Sequence, residues 1–191
     1  HIGSQHHERI LAPGMLPAIL PTVTDLLDEP FGDASVLPTY LLAAFAREHV
    51  TVALGGDGGD ELFAGYPTYQ AQRAAGYLDR LPGPLVGGLA AAARAAVGVL
   101  PVNHDNLSLD FKLKRFAAAL DREPPERHAR WLDSFDPETQ AALLTPELRA
   151  QLVVHDPYAQ ARAIWAETRG LDPLARFLAI DQRTYLPDDI L

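Results

Sequence analysis

The first third of the chain combines two different patterns of apolar and polar positions. Between residues 38 and 49 the apolar side chains recur at helical spacing, whereas residues 50–54 form one apolar run that contains β-branched side chains. The first pattern predicts a helix, and the second predicts a parallel strand that is covered on both faces. Glycines follow this run directly. The order of helix, strand, glycine loop and helix predicts half of a doubly wound α/β unit.

Upstream of this unit, the spacing of Pro13, Pro17 and Pro21 favours short helices that begin at prolines over one long helix. From residue 73 onward the apolar spacing is helical and prolines interrupt it. This pattern predicts helices over residues 85–100, 108–120, 124–134, 138–144, 146–152, 158–167 and 171–185. The predicted N-caps are Ser108, Asp136, Thr145, Asp156 and Asp172, and the aromatic side chains expected in the core are Trp131, Phe135, Trp165 and Phe177.

Composition excludes several classes of function. The chain has 191 residues, a net charge of −9 and no cysteine. The acidic balance argues against a nucleic-acid partner, since duplex binding needs a basic face. No apolar run approaches the roughly 20 residues of a membrane span, and the lack of cysteine is compatible with the cytoplasm. Because the sequence begins His-Ile-Gly-Ser without a methionine, we expect a piece of a longer protein.

The candidate chemistry lies in residues 55–61, Gly-Gly-Asp-Gly-Gly-Asp-Glu. A loop at the carboxyl end of a parallel strand is where open α/β sheets bind ligands, and glycines let backbone N–H groups approach a phosphate. Acids in such a loop would repel a phosphate unless a divalent cation lies between them. Asp57, Asp60 and Glu61 therefore suggest oxygen ligands for a Mg²⁺ ion that also binds phosphate oxygens.

Other glycine-loop motifs do not fit this stretch. Glu61 stands where the dinucleotide-binding spacing needs a third glycine, no Lys-Ser or Lys-Thr pair follows as in a P-loop, and Thr68 stands where an EF-hand needs glutamate. The structural alternative is a surface turn whose acids favour the positive end of a helix dipole. The acidic stretches around Asp28 and Asp33 are interpreted either as helix boundaries or as part of a substrate pocket. We interpret the seven histidines as structural or surface residues.

Residues 53–69, Ala-Leu-Gly-Gly-Asp-Gly-Gly-Asp-Glu-Leu-Phe-Ala-Gly-Tyr-Pro-Thr-Tyr, resemble the signature of glutamine-dependent asparagine synthetases, in their synthetase domain. Three flanking segments agree with this resemblance: residues 3–8, residues 27–40, and residues 181–191 with Leu-Pro-Asp-Asp-Ile-Leu. The resemblance implies part of a pyrophosphate-loop ATPase sheet, of the adenine nucleotide alpha hydrolase type, followed by a helical bundle. We therefore expect a predominantly helical α/β fold, with a partial nucleotide-binding region over residues 1–70 and a helical region over residues 71–191.

The resemblance also implies an activity, its cofactors and its site residues. Aspartate would be adenylated with ATP and Mg²⁺ to β-aspartyl-AMP, and ammonia would then release AMP and give asparagine. Gly55, Gly56, Gly58 and Gly59 would lie against the nucleotide. Asp57 would take the place of the acid associated with the acyl-adenylate. Asp60 would bind Mg²⁺ with pyrophosphate, and Glu61 would support its neighbours.

The partners implied are small molecules, namely ATP, aspartate or a similar carboxylate, and ammonia from glutamine. A glutaminase domain of the same longer chain is implied as well, and a homodimer is left open. The Ser-Gly-Gly-x-Asp-Ser loop and the Lys-x-Asp-Arg segment of the family are absent here, so we expect the isolated chain to be inactive. Gly55 replaces a frequent serine, and Ala64 replaces a frequent glycine.

Two other functions stay open from the sequence. One is a related enzyme that uses the same adenylating site on another carboxylate, either a tailoring amidotransferase or a β-lactam-forming cyclase. The other is a helical interaction domain without catalysis, in which the glycine motif serves only as a turn.

Overall fold

The computed structural model describes residues 3–12, 14–28, 32–98, 108–133, 135, 137–152 and 156–190. The chain divides into two compact units, His1–Gly56 and Asp57–Leu191. The predicted division at residue 70 stays a prediction for the family's domains. Across the described ranges, no helix is long and apolar enough to cross a membrane.

The first unit contains helices α1 (Met15–Leu26) and α2 (Val36–Arg47), which pack against each other around the buried Val23. The prediction of short helices was wrong, because α1 is continuous and contains Pro21. Pro17 lies in the first turn of α1, where a missing N–H costs nothing, and packing against α2 offsets the hydrogen bond that Pro21 cannot make. Pro13 lies outside the described residues.

The apolar run at residues 50–54 does not form the predicted strand. It has no regular structure, and its side chains are open to solvent, with Val52 76% and Leu54 96% exposed. A parallel strand exists only through hydrogen bonds to neighbouring strands, and the described residues contain no strand that could provide them. The predominantly helical character is confirmed, whereas the parallel sheet stays a prediction.

The second unit is built from helices. They are α3 (Gly59–Phe63), α4 (Pro67–Leu78), α5 (Gly83–Gly98), α6 (Leu109–Ala119), α7 (Pro124–Leu132), α8 (Pro137–Leu143), α9 (Pro146–Leu152), α10 (Ala159–Glu167) and α11 (Pro173–Arg183), followed by a π-helical turn at Leu186–Ile190. The seven helices predicted beyond residue 73 are all present as α5 to α11, and their ends shift by a few residues at most. Helix α4 was not predicted.

Two apolar clusters form the core of this unit. One contains Tyr69, Ala161, Ile164, Phe177 and Ile180, and the other contains Ala75, Ala90, Ala119, Leu120 and Trp131. Burial of Trp131 and Phe177 confirms the prediction for both, and Trp165 packs against the first cluster while partly buried. The prediction for Phe135 was wrong, because α7 ends before it and leaves its ring 53% exposed.

Polar contacts fix individual helices of the second unit. The Asp172 carboxylate caps α11 by accepting from the N–H groups of Leu174 and Ala175, at 3.0 and 3.1 Å. Ser108 begins α6 without a capping hydrogen bond from its side chain. The Thr145 hydroxyl accepts from the Leu148 N–H at 3.4 Å, and Asp136 lies outside the described residues. The predicted cap at Asp156 instead accepts from the N–H of Tyr158, the residue before α10.

Candidate active site

A glycine with a left-handed backbone opens the candidate site. Gly58 has φ +82° and ψ −7° and is the N-cap of α3, so the chain turns sharply between Asp57 and Gly59. A side chain is strained in this conformation, and glycine is not. The Gly58 carbonyl accepts from the Leu62 N–H at 3.0 Å and thereby starts the helix. The predicted glycine loop is therefore a tight turn into a helix, as phosphate-binding loops are.

The far end of α3 is equally constrained. Ala64 has φ +59° and is the one non-glycine residue with positive φ among the described residues, a conformation in which glycine would be less strained. The Gly65 N–H donates to the Asp60 carbonyl at 3.1 Å. A Cβ atom on Gly65 would collide with Asp60 Oδ1. Gly65 therefore leaves the space in which the Asp60 carboxylate lies.

The three acids of the motif have different surroundings. Asp57 and Asp60 are exposed, whereas Glu61 is 1% exposed. Glu61 Oε1 accepts from the Tyr66 hydroxyl at 2.6 Å, and burial, together with this hydrogen bond, raises the pKa of Tyr66 well above its ordinary value. The Glu61 carboxylate therefore faces the protein interior, and Asp57 and Asp60 are the acids that a solvent-borne cation or nucleotide can reach.

Gly55 and Gly56 belong to the first compact unit, and both are exposed. A Cβ atom on Gly56 would meet no atom within 4 Å. Within that unit, packing does not demand glycine at position 56. The roles of both residues next to a nucleotide stay predictions.

The second unit brings two distant segments of the sequence together. Gln182 Nε2 donates to the main-chain carbonyl of Glu61 at 3.0 Å, across 121 positions of sequence. The Leu186 side chain lies beside Gly58, where a Cβ atom would come within 3.6 Å of its Cδ2. The rings of Tyr66 and Tyr185 meet edge to face at 5.9 Å. The acidic motif therefore lies against the end of α11 and the π-helical turn, which carries Asp188 and Asp189.

The described residues offer a sparse set of metal ligands. They contain no group of three or more His, Cys, Asp or Glu side chains that could hold a metal by themselves. Mg²⁺ in phosphate sites commonly takes one or two protein carboxylates and completes its shell with phosphates and water. The exposed carboxylate of Asp60 fits that pattern, with Asp57 three positions before it.

The histidines that the structure describes belong to no group of metal-ligating side chains. His6, His7 and His49 are exposed in the first unit. His128 is fully buried, and its Nε2 lies 2.8 Å from Asp181 Oδ1, which agrees with a structural role. The other histidines, His1, His104 and His155, lie outside the described residues.

Reasoning from the sequence missed the residues that support the motif from behind. Tyr66 and Gln182 hold Glu61, and Leu186 packs on Gly58. All three lie inside the segments that carry the family resemblance. That resemblance was the available signal, because neither periodicity nor spacing relates positions so far apart in sequence.

The second unit is helical, and its glycine turn leads into the acidic start of α3. Helix α11, which is distant in sequence, supports this start. A family model described as asparagine synthase matches residues 1–191. A provisionally named glutamine-hydrolysing asparagine synthetase of Mycobacterium tuberculosis is 33% identical over 190 residues, which cover 100% of this chain and 27% of that protein. Asparagine synthetase (glutamine-hydrolysing) 1 of Bacillus subtilis is 34% identical over 84 residues, 44% of this chain and 13% of that protein. No solved structure gives a significant match.

The chain therefore belongs to the asparagine synthase family. It spans about a quarter of the length of the mycobacterial relative, 27%. The expected family membership is thereby confirmed.

Proposed function

We propose that this chain is part of an ATP-dependent carbon–nitrogen ligase that makes asparagine. In the first step, an oxygen of the aspartate β-carboxylate bonds to the α-phosphorus of ATP, and the bond from that phosphorus to the bridging oxygen of pyrophosphate breaks. In the second step, the nitrogen of ammonia attacks the acyl carbon of β-aspartyl-AMP. AMP leaves with the electrons of the acyl–oxygen bond, and the ammonium nitrogen loses a proton to water.

Positioning and charge neutralisation are the main demands of such an adenylation. In the proposal, Gly55, Gly56, Gly58 and Gly59 let backbone N–H groups approach the nucleotide. The Asp60 carboxylate would hold Mg²⁺, and that ion neutralises charge on the phosphates. Asp57 would assist the formation or use of the acyl-adenylate.

One observation carries the proposal. Two of the segments that carry the family resemblance, around residues 57–61 and 181–190, meet in the second unit through Glu61 with Gln182 and Gly58 with Leu186. The parallel sheet expected before residue 55 would come from the rest of the protein, and the exposed side chains of Val52 and Leu54 are suited to be covered by it.

The remaining parts of the proposal concern the longer protein. Ammonia would come from a glutaminase domain elsewhere in the same longer chain, since the cysteine nucleophile of that chemistry is absent from these 191 residues. The reaction would take place in the cytoplasm. Whether two copies form a homodimer stays open in the proposal.

Product analysis of the full-length protein tests the proposal directly. With Mg²⁺, ATP, aspartate and ammonium, we expect asparagine, AMP and pyrophosphate in equal amounts, and Asp57→Asn and Asp60→Asn should abolish or strongly reduce all three. Asp25→Asn, an exposed position on α1, is the matched control and should keep full activity.

Other outcomes identify the alternatives. AMP formation that requires a different carboxylate would indicate a related amidotransferase, and a cyclised product without ammonia would indicate a β-lactam-forming cyclase. Failure of ATP with Mg²⁺ to protect the full-length protein from unfolding would favour a non-catalytic interaction domain.

A further inference from the structure

A polar cluster lies directly behind the acidic motif and joins four helices of the second unit; its centre is buried, whereas Tyr66 is half-buried and Gln182 at its edge is exposed. We call it the support cluster, and it consists of Glu61, Tyr66, Tyr69, His128, Asp181 and Gln182. Buried polar groups are costly unless they are paired, so a cluster of this kind fixes the elements that contribute to it.

The part of the cluster nearest the motif holds Glu61 at two points. Its carboxylate accepts from the Tyr66 hydroxyl at 2.6 Å, and its main-chain carbonyl accepts from Gln182 Nε2 at 3.0 Å. Because Glu61 directly follows Asp60 in the short helix α3, these two hydrogen bonds fix the direction in which Asp60 leaves the helix.

The deeper part of the cluster holds α11. The two oxygens of Asp181, which is fully buried, accept from the Tyr69 hydroxyl at 2.5 Å and contact His128 Nε2 at 2.8 Å. These contacts join α11 to α4 and α7. Asp181 directly precedes Gln182 on α11. The contacts of Asp181 therefore also help to place Gln182, which donates the hydrogen bond to Glu61.

We propose that Tyr66 and Gln182, acting through Glu61, are positioning residues for the Mg²⁺-binding carboxylate of Asp60. This inference rests on the proposed function and adds to it how the cation ligand is held. The support cluster keeps α3 seated on α11, so that Asp60 meets the magnesium–nucleotide complex without reorienting. Glu61 contributes by its hydrogen bonds and does not bind the cation.

The test measures two quantities for the full-length protein: the Mg²⁺ concentration that gives half-maximal activity, and the Mg²⁺ concentration at which ATP gives half of its maximal rise in melting temperature. We expect Tyr66→Phe and Gln182→Met to raise both Mg²⁺ concentrations by about two- to tenfold, since each variant removes one hydrogen bond at Glu61. Glu61→Gln should shift them less, because an amide oxygen still accepts from Tyr66. Asp60→Asn should shift them most.

Two control variants remove similar hydrogen bonds elsewhere. Tyr158→Phe deletes a hydroxyl that donates to Asp133 Oδ2 at 2.7 Å, and Gln140→Met deletes an amide that donates to the Phe135 carbonyl at 3.1 Å. Both should leave the Mg²⁺ dependence unchanged, even where Tyr158→Phe lowers the melting temperature.

The outcomes separate this inference from the function on which it rests. If the wild-type protein makes no AMP with any carboxylate, the proposed function fails and this inference falls with it. If the wild type is active but Tyr66→Phe and Gln182→Met have the same Mg²⁺ dependence as the control Tyr158→Phe, the proposed function stands and the positioning role is refuted. A shift of the Mg²⁺ dependence in Glu61→Gln as large as the shift in Asp60→Asn would also refute the positioning role.

Discussion

Two adjacent glycines at the start of α3 allow a direct test of the turn geometry. Gly58 has φ +82° and precedes the helix, whereas Gly59 is its first residue. A Cβ atom on Gly58 would meet Leu186 Cδ2 at 3.6 Å, an ordinary contact, and one on Gly59 would meet nothing within 4 Å. The two Gly→Ala changes therefore differ in backbone strain and hardly in packing.

The expected free energies of unfolding follow from that difference. An L-residue in the left-handed region costs about 1–2 kcal/mol, so Gly58→Ala should lower stability by about that amount. Alanine within a helix is better than glycine by about 0.5–1 kcal/mol, and less in the first turn, so Gly59→Ala should be neutral or slightly stabilising. The two variants should differ by about 1–3 kcal/mol.

Urea unfolding of the 191-residue chain measures this difference. Both tryptophans, Trp131 and Trp165, lie in the same compact unit as Gly58, so their fluorescence reports on that unit. With a slope of about 2 kcal/mol per molar urea, the midpoints should lie roughly 0.5–1.5 M apart. Equal midpoints, or a less stable Gly59→Ala variant, would show that position 58 does not hold a left-handed turn.

Three further predictions concern the acids, the tyrosines and the isolated chain. Gly65→Ala should displace the Asp60 carboxylate and raise the Mg²⁺ requirement of the full-length protein several-fold. Gly76→Ala is the control: it has open space at Cβ within α4, so it should stabilise the protein by about 0.5–1 kcal/mol and leave the Mg²⁺ requirement unchanged. An unchanged Mg²⁺ requirement in Gly65→Ala would show that Gly65 does not make room for the Asp60 carboxylate. Burial and the hydrogen bond to Asp181 raise the pKa of Tyr69 above its ordinary value, so the unfolded chain ionises first and stability should fall as the pH rises above about 10. Tyr69→Phe should reduce that fall and Tyr77→Phe, at an exposed position, should not; equal alkaline curves for wild type and Tyr69→Phe would refute this. The isolated chain should bind ATP weakly or not at all, because the upstream phosphate loop is missing, and calorimetry that finds a micromolar dissociation constant would overturn this expectation.

Helix α4 shows why one helix escaped prediction while those beyond it did not. Its buried positions are Tyr69, Gln72 and Ala75, so a polar side chain interrupts the apolar stripe. Gln72 is buried because its Oε1 accepts from Arg127 Nε at 3.0 Å, and Arg127 also binds both carboxylate oxygens of Asp79 at 2.7 and 2.8 Å. Apolar spacing cannot predict a buried stripe whose central residue is polar and is held by a hydrogen bond from Arg127 of α7.

The apolar run at residues 50–54 is an element that was predicted from its pattern but is not formed in the structure. Its pattern carries a real preference for a buried strand, but a strand forms only when its neighbours are present. In this chain the run ends with Leu54 96% exposed. A local pattern can therefore indicate a strand whose partners lie elsewhere in a longer protein.

Part of the candidate site could be predicted from local sequence, and part of it could not. The glycines and acids of residues 55–61 are adjacent in sequence, so their chemistry and their turn could be predicted from it. The support cluster could not be predicted, because its hydrogen bonds join Tyr69 with Asp181 across 112 positions and Glu61 with Gln182 across 121. Only the folded second unit relates these residues.

Exchange of labelled pyrophosphate into ATP by the full-length protein tests the central claim most directly, because it reports the adenylation step alone. We expect exchange that requires both Mg²⁺ and aspartate, that is lost in Asp57→Asn, and that in Asp60→Asn needs far more Mg²⁺. Exchange that proceeds at the wild-type rate and with the wild-type Mg²⁺ dependence in both variants would contradict the claim that these two exposed acids serve a magnesium–nucleotide site.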